Sequence, residues 1–408
     1  MNFRTAFRTA DILVPKCEDM SKWSVIACDQ YTSQPEYWEK VDEYVGSAPS
    51  SLRLVLPEVF LGRSDTPARI REINENIRKY LSKGLFEEYK NSMIYVERTQ
   101  SDGKIRRGIV GAIDLEQYDY RAGSRSPIRA TEATVIERIP PRLEIRKDAE
   151  LELPHIMILI DDPGFTVIEP LAKKPLKKLY DFGLMGGGGS VAGYLMDSEA
   201  VSGVDSALGK LSEKSPLLFA MGDGNHSLAT AKEHYERLKK EHPGEDMSNH
   251  PARYALCEIV NLHSEALEFE AIHRLVKVDD PYKFVLEMSL ALGLTGVPSA
   301  QRVKIHRNYT VRDLYIGTPS SELAVGSVQN FLDSYLKANG GSIDYIHGTD
   351  VLRRLAGEEG AIGFEFAPIK KEELFPAVEK LGALPRKTFS MGGAKDKRYY
   401  LEARKIVK

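Results

Sequence analysis

The residues with the clearest capacity for chemistry lie in one short stretch, residues 222–227, which reads Gly-Asp-Gly-Asn-His-Ser. Asp223 and His226 are side chains that exchange protons or ligate metals, so they are candidate catalytic residues. Gly222 and Gly224 allow the backbone to turn sharply and to approach a ligand closely. The stretch therefore predicts a site in which acid–base groups lie beside exposed backbone.

The elements on either side of this stretch would position it. A short apolar strand at residues 217–219 precedes it, and an amphipathic helix with Leu228, Ala231, Tyr235 and Leu238 on one face follows it. The loop would end where the helix begins, so backbone N–H groups and the positive end of the helix dipole would face it. The loop, including Gly224 and Ser227, is therefore predicted to bind an anion, most simply a phosphate.

Polar residues elsewhere are further candidates. Glu132 lies between two threonines, with arginines at 129, 138 and 142 nearby. A polar site and a solvated, salt-bridged face explain these residues equally well. His273 and Arg274 end a predicted strand, a common position for recognising phosphate or carboxylate. Lys387 belongs to a predicted second phosphate-contacting loop, although the excess of lysine and arginine after residue 385 is also typical of a solvated basic tail.

Three other polar or flexible stretches have two interpretations each. Asp29 ends a predicted strand and would face a ligand or form a turn, and the turn is favoured. Asp161 and Asp162 would bind a divalent cation or form a turn, and the turn is again favoured. The glycine run 186–189 would be a lid, an anion cradle or a hairpin tip, and it lacks the lysine of a Walker loop.

The remaining pattern predicts a mixed α and β protein. A helix is expected at 66–82, a hairpin at 93–115 around Asp102-Gly103, a buried central strand at 155–160 and a helix at 371–381. We predict three closely packed lobes: an N-terminal lobe at 1–150, a central lobe with the 222–227 stretch at 151–290, and a smaller C-terminal lobe at 291–408.

Composition bounds the class of protein. The 408 residues carry a formal charge of −3, which gives no reason to expect attraction of the whole surface to nucleic acid or an anionic membrane. Three cysteines have neither the density of a disulfide scaffold nor paired metal-ligand spacing. Neither a membrane-spanning run nor a signal peptide is visible, so a cytoplasmic location is expected. No helix-turn-helix pattern is evident either, which makes nucleic acid an unlikely partner.

Several motifs together resemble the domain of unknown function 1015 family. They occur in a fixed order along nearly the whole chain: the Asp102-Gly103 hairpin, residues 129–134, Asp161-Asp162-Pro163, Asp223-Gly-Asn-His226, Ile272-His-Arg274 and Pro385-Arg-Lys-Thr388. The family's central motif is usually Asp-Gly-His-His-Arg, which in turn resembles the phosphate-binding motif of the ParB and sulfiredoxin superfamily. That superfamily includes nucleotide-binding partitioning proteins and a free-serine kinase that uses ADP.

The resemblance implies a ParB/sulfiredoxin-like core in which Asp223, Gly224, Asn225 and His226 line a nucleotide or phosphate site. Here Asn225 replaces the first histidine and Ser227 replaces the arginine that would contact phosphate. Arg142, Arg274 or Lys387 is the candidate replacement.

Two classes of function follow from this expectation. One is a phosphotransferase of the serine-kinase type, in which Glu132 or Asp223 deprotonates a hydroxylated substrate and Mg²⁺ accompanies ADP, ATP or CTP. The other is a non-catalytic, ParB-like regulator that binds a nucleotide or DNA.

Overall fold

The computed structural model describes residues 3–121 and 123–408, which contain both helices and strands. The α-helices are α1 (Met20–Trp23), α2 (Pro35–Val45), α3 (Thr66–Ser82), α4 (Ile139–Arg146), α5 (Ser198–Ser212), α6 (Asn225–Glu241), α7 (Pro281–Leu292), α8 (Ala324–Asn339), α9 (Thr349–Leu355) and α10 (Lys371–Leu381).

The strands are short, and they run from the N-terminus to the end of the chain. They are β1 (Phe7–Arg8), β2 (Ala10–Pro15), β3 (Phe86–Ser92), β4 (Ile94–Thr99), β5 (Ile105–Asp114), β6 (Tyr118–Asp119), β7 (Ile128–Arg129), β8 (Leu151–Glu152), β9 (Met157–Ile160), β10 (Lys177–Gly183), β11 (Ser190–Leu195), β12 (Phe219–Asp223), β13 (Tyr254–Asn261), β14 (Phe269–Lys277), β15 (Leu294–Thr295), β16 (Arg302–Arg307), β17 (Thr310–Ile316), β18 (Ser342–His347), β19 (Ala361–Glu365), β20 (Phe389–Met391) and β21 (Arg404–Lys405).

The chain divides into two compact units. Unit 1 comprises residues up to 130, 134–267 and 393–408, and unit 2 comprises 131–133 and 268–392. The predicted lobe boundary at 150 falls inside unit 1, because β5 from one side of it pairs with β13 from the other. The predicted boundary at 290 falls inside α7.

Unit 1 is built on a sheet with the order β10-β11-β4-β5-β13-β9-β12-β7-β6, and β1 also pairs with β5. The strand β9 lies between β13 and β12 and is buried along its whole length, as predicted for a central strand. Large apolar side chains fill the core around it, among them Phe7, Phe219 and Tyr235. The strand that leads into the 222–227 stretch is therefore held rigidly by the centre of this sheet.

The last residues of the chain are part of unit 1 and are largely buried. Arg398 is 4% exposed, and its guanidinium donates to Glu258 at 2.8 Å and to Glu402 at 2.6 Å. Arg404 is bonded in the same way to Glu152 at 2.9 Å. The basic residues after 385 that resembled a solvated tail in the sequence are thus partly internal, because buried glutamates neutralise them.

Unit 2 is a second sheet, ordered β15-β17-β16-β19-β14-β18, with β20 pairing to the start of β14. Helices α7 and α8 supply apolar side chains to its core, including Phe284, Met288, Val328 and Leu332. Gly293 ends α7 in the left-handed conformation, as expected for a glycine that follows a helix.

The mixed α and β class predicted from the sequence is confirmed. Helix α3 has the predicted bounds, and β4 and β5 pair across the predicted Asp102-Gly103 turn. The glycine run 186–189 connects the antiparallel strands β10 and β11, which agrees with its interpretation as a hairpin tip. No helix in the described part of the chain is long and apolar enough to cross a membrane.

Candidate functional site

The 222–227 stretch differs from the predicted loop because it is almost entirely regular structure. Strand β12 runs to Asp223, and α6 begins at Asn225, so Gly224 alone makes the turn. Its φ is +76°, in the left-handed region that glycine adopts without strain. A Cβ at this position would lie 3.0 Å from Cα of Ile156, so a side chain here would also force the backbone of Ile156 to shift.

The start of α6 presents its backbone without help from a capping side chain. Gly224 is the N-cap and accepts the N–H of Leu228 at 3.0 Å, and no side-chain cap is formed. Asn225, His226 and Ser227 form the first turn, and Nδ2 of Asn225 donates to Oγ1 of Thr134 at 3.1 Å. The first turn of this 17-residue helix therefore keeps the positive end of the helix dipole without a side-chain cap, which favours an anion at this position.

Asp223, which ends the strand, faces a lysine from the C-terminal segment. Its Oδ1 accepts the N–H of Gly224 at 3.0 Å, and Nζ of Lys397 lies 3.4 Å from Oδ2. The side chains of Lys397 and Asp223 are only 12% and 17% exposed. The lysine is thus held at the start of α6.

His155, just before β9, links several polar groups of unit 1. Its Nδ1 is 2.9 Å from the hydroxyl of Tyr400, and its Nε2 is 3.4 Å from Oγ of Ser227. The same Nε2 lies 3.5 Å from Oδ2 of Asp29. We call the group formed by Asp29, His155, Lys397, Tyr400 and residues 223–227 the DGNH site.

The charges of Asp29 and His155 support each other. Burial alone would lower the pKa of His155, but the carboxylate of Asp29 outweighs burial and raises that pKa above its usual value. Burial likewise opposes ionisation of Asp29, yet the imidazolium holds the pKa of Asp29 well below its usual range. The histidine is therefore biased towards the cation and the aspartate towards the anion.

This arrangement is not a serine–histidine–aspartate relay. In such a relay the aspartate orients one ring nitrogen and the serine bonds to the other. Here Ser227 and Asp29 approach the same nitrogen, Nε2, while Tyr400 occupies Nδ1. The group is better suited to holding a charged ligand than to activating Ser227 as a nucleophile.

Arg142, predicted as a replacement for the missing motif arginine, lines a cavity of about 150 Å³ together with His155 and Ser227. Its guanidinium is ion-paired to Glu58 and also donates to the carbonyl of Arg138 at 2.6 Å. We call this space the apolar cavity, because most of the residues in its wall are apolar and leucine and isoleucine are the commonest among them.

Glu132 and Lys387, both predicted site residues, lie in unit 2. The carboxylate of Glu132 accepts backbone N–H groups from Lys387 at 3.0 Å and from Thr388 at 2.9 Å. Burial raises the pKa of Glu132, although these N–H groups oppose the shift. Lys387 itself has an exposed side chain and a φ of +57°. Glu132 thus shapes the 387–389 turn by bonding to its backbone.

His273 and Arg274 are internal residues of the same unit. Nδ1 of His273 accepts the N–H of Phe366 at 3.3 Å, and burial lowers the pKa of the ring. Arg274 is 0% exposed and donates to the carbonyls of Ile272, of Arg386 at 2.8 Å and of Lys387 at 2.7 Å. Its donors are engaged in tying β14 to the 386–387 backbone.

The predicted residues therefore fall into two groups that lie in different units. Asp223, Gly224, Asn225, His226, Ser227 and Arg142 belong to unit 1. Glu132, His273, Arg274 and Lys387 belong to unit 2. The sequence did not single out His155, Tyr400 or Lys397. For Asp29 it favoured a role in a turn over a role in a site. A histidine that begins a fully apolar run, at 155–160, is the feature that pointed to a buried polar group.

Unit 2 contains an acid–base cluster of its own, in which Glu365 is paired with Lys304 at 2.6 Å and with His306 at 2.7 Å. A cavity of about 650 Å³ also belongs to unit 2 and is lined mainly by small residues such as Ser299, Ser320 and Ser321. It contains none of the predicted site residues. Among residues 3–121 and 123–408, no group of three or more His, Cys, Asp or Glu side chains is placed to hold a metal ion.

Comparison with known proteins gives a family but no activity. A family model described as "Protein of unknown function (DUF1015)" matches residues 12–327. A search of curated proteins found no match.

Similarity to solved structures is weak. A structure of free serine kinase in complex with AMP is 12% identical with a TM-score of 0.41, covering 73% of this chain and 92% of that one. C-terminally truncated SbnI from Staphylococcus aureus is 9% identical with a TM-score of 0.38, covering 69% and 82%. A conserved hypothetical protein from Pyrococcus furiosus is 11% identical with a TM-score of 0.39, covering 72% and 94%. At these values the similarities carry no functional conclusion.

Proposed function

We propose that this chain, which belongs to the DUF1015 family of proteins of unknown function, binds the phosphate of a nucleotide or small phosphorylated molecule at the DGNH site. The site combines a helix N-terminus, a largely buried lysine and a histidine that is biased towards the cation. Each of these favours an anion, and together they suit one with several oxygen atoms.

The observation that supports this proposal best is that the two cations of the site are only loosely paired. Lys397 is 3.4 Å from Asp223, and His155 is 3.5 Å from Asp29. Charge-assisted hydrogen bonds are shorter, about 2.7–2.9 Å. A phosphate oxygen can therefore form better bonds with Lys397 and His155 than the carboxylates do, at the side of the uncapped first turn of α6.

A catalytic form of the proposal is phosphoryl transfer to a hydroxyl group. The hydroxyl oxygen forms a bond to the terminal phosphorus of the nucleotide, and the bond from that phosphorus to the bridging oxygen breaks. The hydroxyl proton passes to the carboxylate of Asp223, while Lys397 and the α6 N-terminus stabilise the phosphoryl oxygens. His226, in the first turn of α6, is the second candidate for proton exchange. Mg²⁺ would bind together with the nucleotide, so binding is measured both with and without Mg²⁺.

The second candidate function is binding without turnover, as in a nucleotide-responsive regulator. The pairing of His155 with Asp29 favours this candidate, because a raised pKa makes His155 a better phosphate-binding cation and a poorer proton acceptor. The two candidates share a ligand and differ only in whether product forms.

Thermal unfolding with ADP, ATP, CTP and inorganic phosphate, each with and without Mg²⁺, tests the proposal. A ligand at one hundred times its dissociation constant adds roughly 2.7 kcal/mol to the stability of the folded state. A rise in melting temperature with at least one nucleotide is expected. If none of the ligands changes the melting temperature, the proposal is wrong. Product from a panel of hydroxylated metabolites would favour the phosphotransferase over the regulator.

His226→Ala tests the role of the motif histidine. We expect the response to ligand to be lost while the melting temperature without ligand stays within a few degrees. His242→Ala, which removes an exposed histidine at the other end of α6, is the matched control and should keep the response. A large loss of stability in His226→Ala would instead assign His226 a structural role.

A further inference from the structure

We propose that the apolar cavity binds a neutral, hydroxylated small molecule with an apolar body about the size of one aromatic ring. This inference deepens the proposed function, because such a molecule would be the partner of the phosphate ligand at the DGNH site. The cavity and the site share His155, Ser227 and Tyr400.

The size and walls of the cavity limit the body of the ligand. Its volume is about 150 Å³, similar to engineered cavities of about 150 Å³ that bind benzene. The walls come from α3, α4 and the segments beside them, and they include Leu54, Leu56, Ile73, Ile77, Ile145 and Leu151. Most of these side chains are less than a tenth exposed, so the cavity reaches into the core of unit 1. An apolar ring or a branched chain fits this space.

One end of the cavity is polar and adjoins the start of α6. Ser227, Thr230 and Tyr400 contribute hydroxyl groups there, and His155 contributes its ring. Burial raises the pKa of Tyr400 and of the neighbouring Cys28, so both remain uncharged. A ligand hydroxyl can donate to one of these groups and accept from another.

The two arginines of the cavity wall are already paired with glutamates, which favours a neutral ligand in the cavity. Arg142 is ion-paired to Glu58, and Arg146 lies 2.6 Å from Glu152. His155, whose Nε2 lies 3.5 Å from Asp29, is left for the phosphate ligand of the DGNH site. A ligand carboxylate or ammonium group would have to displace one of these partners and leave it unpaired in a largely buried space. A hydroxyl group avoids this cost.

Three molecules of nearly equal shape test the inference: benzyl alcohol, benzoate and benzylamine. Each is added to the full-length protein without nucleotide, and the melting temperature is measured. At ten times its dissociation constant, benzyl alcohol should raise the melting temperature by about 1.5–2.5 °C. Benzoate and benzylamine at the same concentration should give a smaller rise. Equal or larger shifts with the charged probes would overturn the inference.

Two variants locate the binding. Ile145→Trp places an indole in the cavity and should abolish the benzyl alcohol shift while leaving the nucleotide shift in place. Leu153→Ala enlarges the space from a half-buried position and should create a shift with 1-naphthalenemethanol that the wild type lacks. If Ile145→Trp fails to fold, the Leu153→Ala result alone decides whether the ligand binds in the cavity. An unchanged benzyl alcohol shift in a folded Ile145→Trp, or no gain in Leu153→Ala, would contradict the assignment.

The two proposals fail separately. A nucleotide shift with no benzyl alcohol shift would retain phosphate binding at the DGNH site and reject this cavity as the second ligand site. A benzyl alcohol shift that responds to the variants, with no shift from any nucleotide or phosphate, would establish the cavity and reject the proposed function.

Discussion

Nε2 of His155 lies 3.5 Å from Oδ2 of Asp29, and this pair is the electrostatic centre of the DGNH site. His155 is 5% exposed and Asp29 is 27% exposed, so the charge is held beside the start of α6 rather than in bulk solvent. Two residues separated by more than a hundred positions thus create a cation at the position where the helix dipole also favours an anion.

Asp29→Asn should lower the pKa of His155, because the asparagine removes the carboxylate that raises it. The measurement is an NMR titration of the His155 ring in both proteins. The histidine of the variant should titrate at a lower pH than that of the wild type. An unchanged titration would contradict the assignment of Asp29 as the partner.

The same substitution should destabilise the protein in a pH-dependent way. The raised folded-state pKa of His155 means that its contribution is fully present below the pKa of a free histidine and is lost as the pH rises through the folded-state value. The lowered pKa of Asp29 means that its contribution is present above the pKa of a free aspartate and is lost in acid.

The stability difference between wild type and Asp29→Asn should therefore be largest near about pH 5–6. There it should be on the order of 1–2 kcal/mol, after allowance for the partial exposure of Asp29. It should decrease towards pH 9. Denaturant unfolding at several pH values measures it, and a difference that is constant from pH 5 to 9 would rule out the ion pair as its cause.

Gly224→Ala should destabilise unit 1 by more than Gly84→Ala does. Both glycines have positive φ, so each alanine pays about 1–2 kcal/mol for the left-handed conformation. Nothing lies within 4 Å of a Cβ at Gly84, whereas at Gly224 Ile156 is 3.0 Å away. The clash should add about 1–3 kcal/mol, measured by denaturant unfolding. Equal losses in the two variants would show that α6 adjusts freely.

Arg274→Lys should destabilise unit 2 strongly, because lysine cannot reach several carbonyls with one planar group. We expect a loss of about 3–5 kcal/mol, with the wild-type nucleotide shift retained in the folded fraction. Arg302→Lys, at an exposed pair with Asp313, is the control and should behave as the wild type. A stable Arg274→Lys protein without a nucleotide response would instead show that Arg274 contacts the ligand.

Much of the fold was predictable because the local pattern and the tertiary structure agree. Helix α3 has an apolar stripe, a proline at its start and a glycine after its end, and it has the predicted bounds. The buried strand β9 was recognisable from its uninterrupted apolar residues. The class of the protein follows from such elements.

The candidate site was predictable only in part, because most of its partners come from distant segments. The Asp223–His226 motif and its helix were visible in the sequence, but Asp29, His155 and Lys397 reach the site through the pairing of strands and the burial of the C-terminal segment. Arg274, in contrast, was predicted to bind a ligand although the structure places it in the interior of unit 2. A strand-end arginine in a sequence does not reveal that backbone carbonyls occupy its donors.

The most direct test of phosphate binding at the DGNH site is the affinity of ADP for wild type, Lys397→Gln and Lys240→Gln, measured by isothermal titration calorimetry. Lys397 faces Asp223, whereas Lys240 is exposed near the end of the same helix. Removing a charge-assisted hydrogen bond costs about 1.5–3 kcal/mol, or roughly a 10- to 150-fold loss of affinity. We predict such a loss for Lys397→Gln and wild-type affinity for Lys240→Gln. Equal affinities in all three proteins would contradict the account.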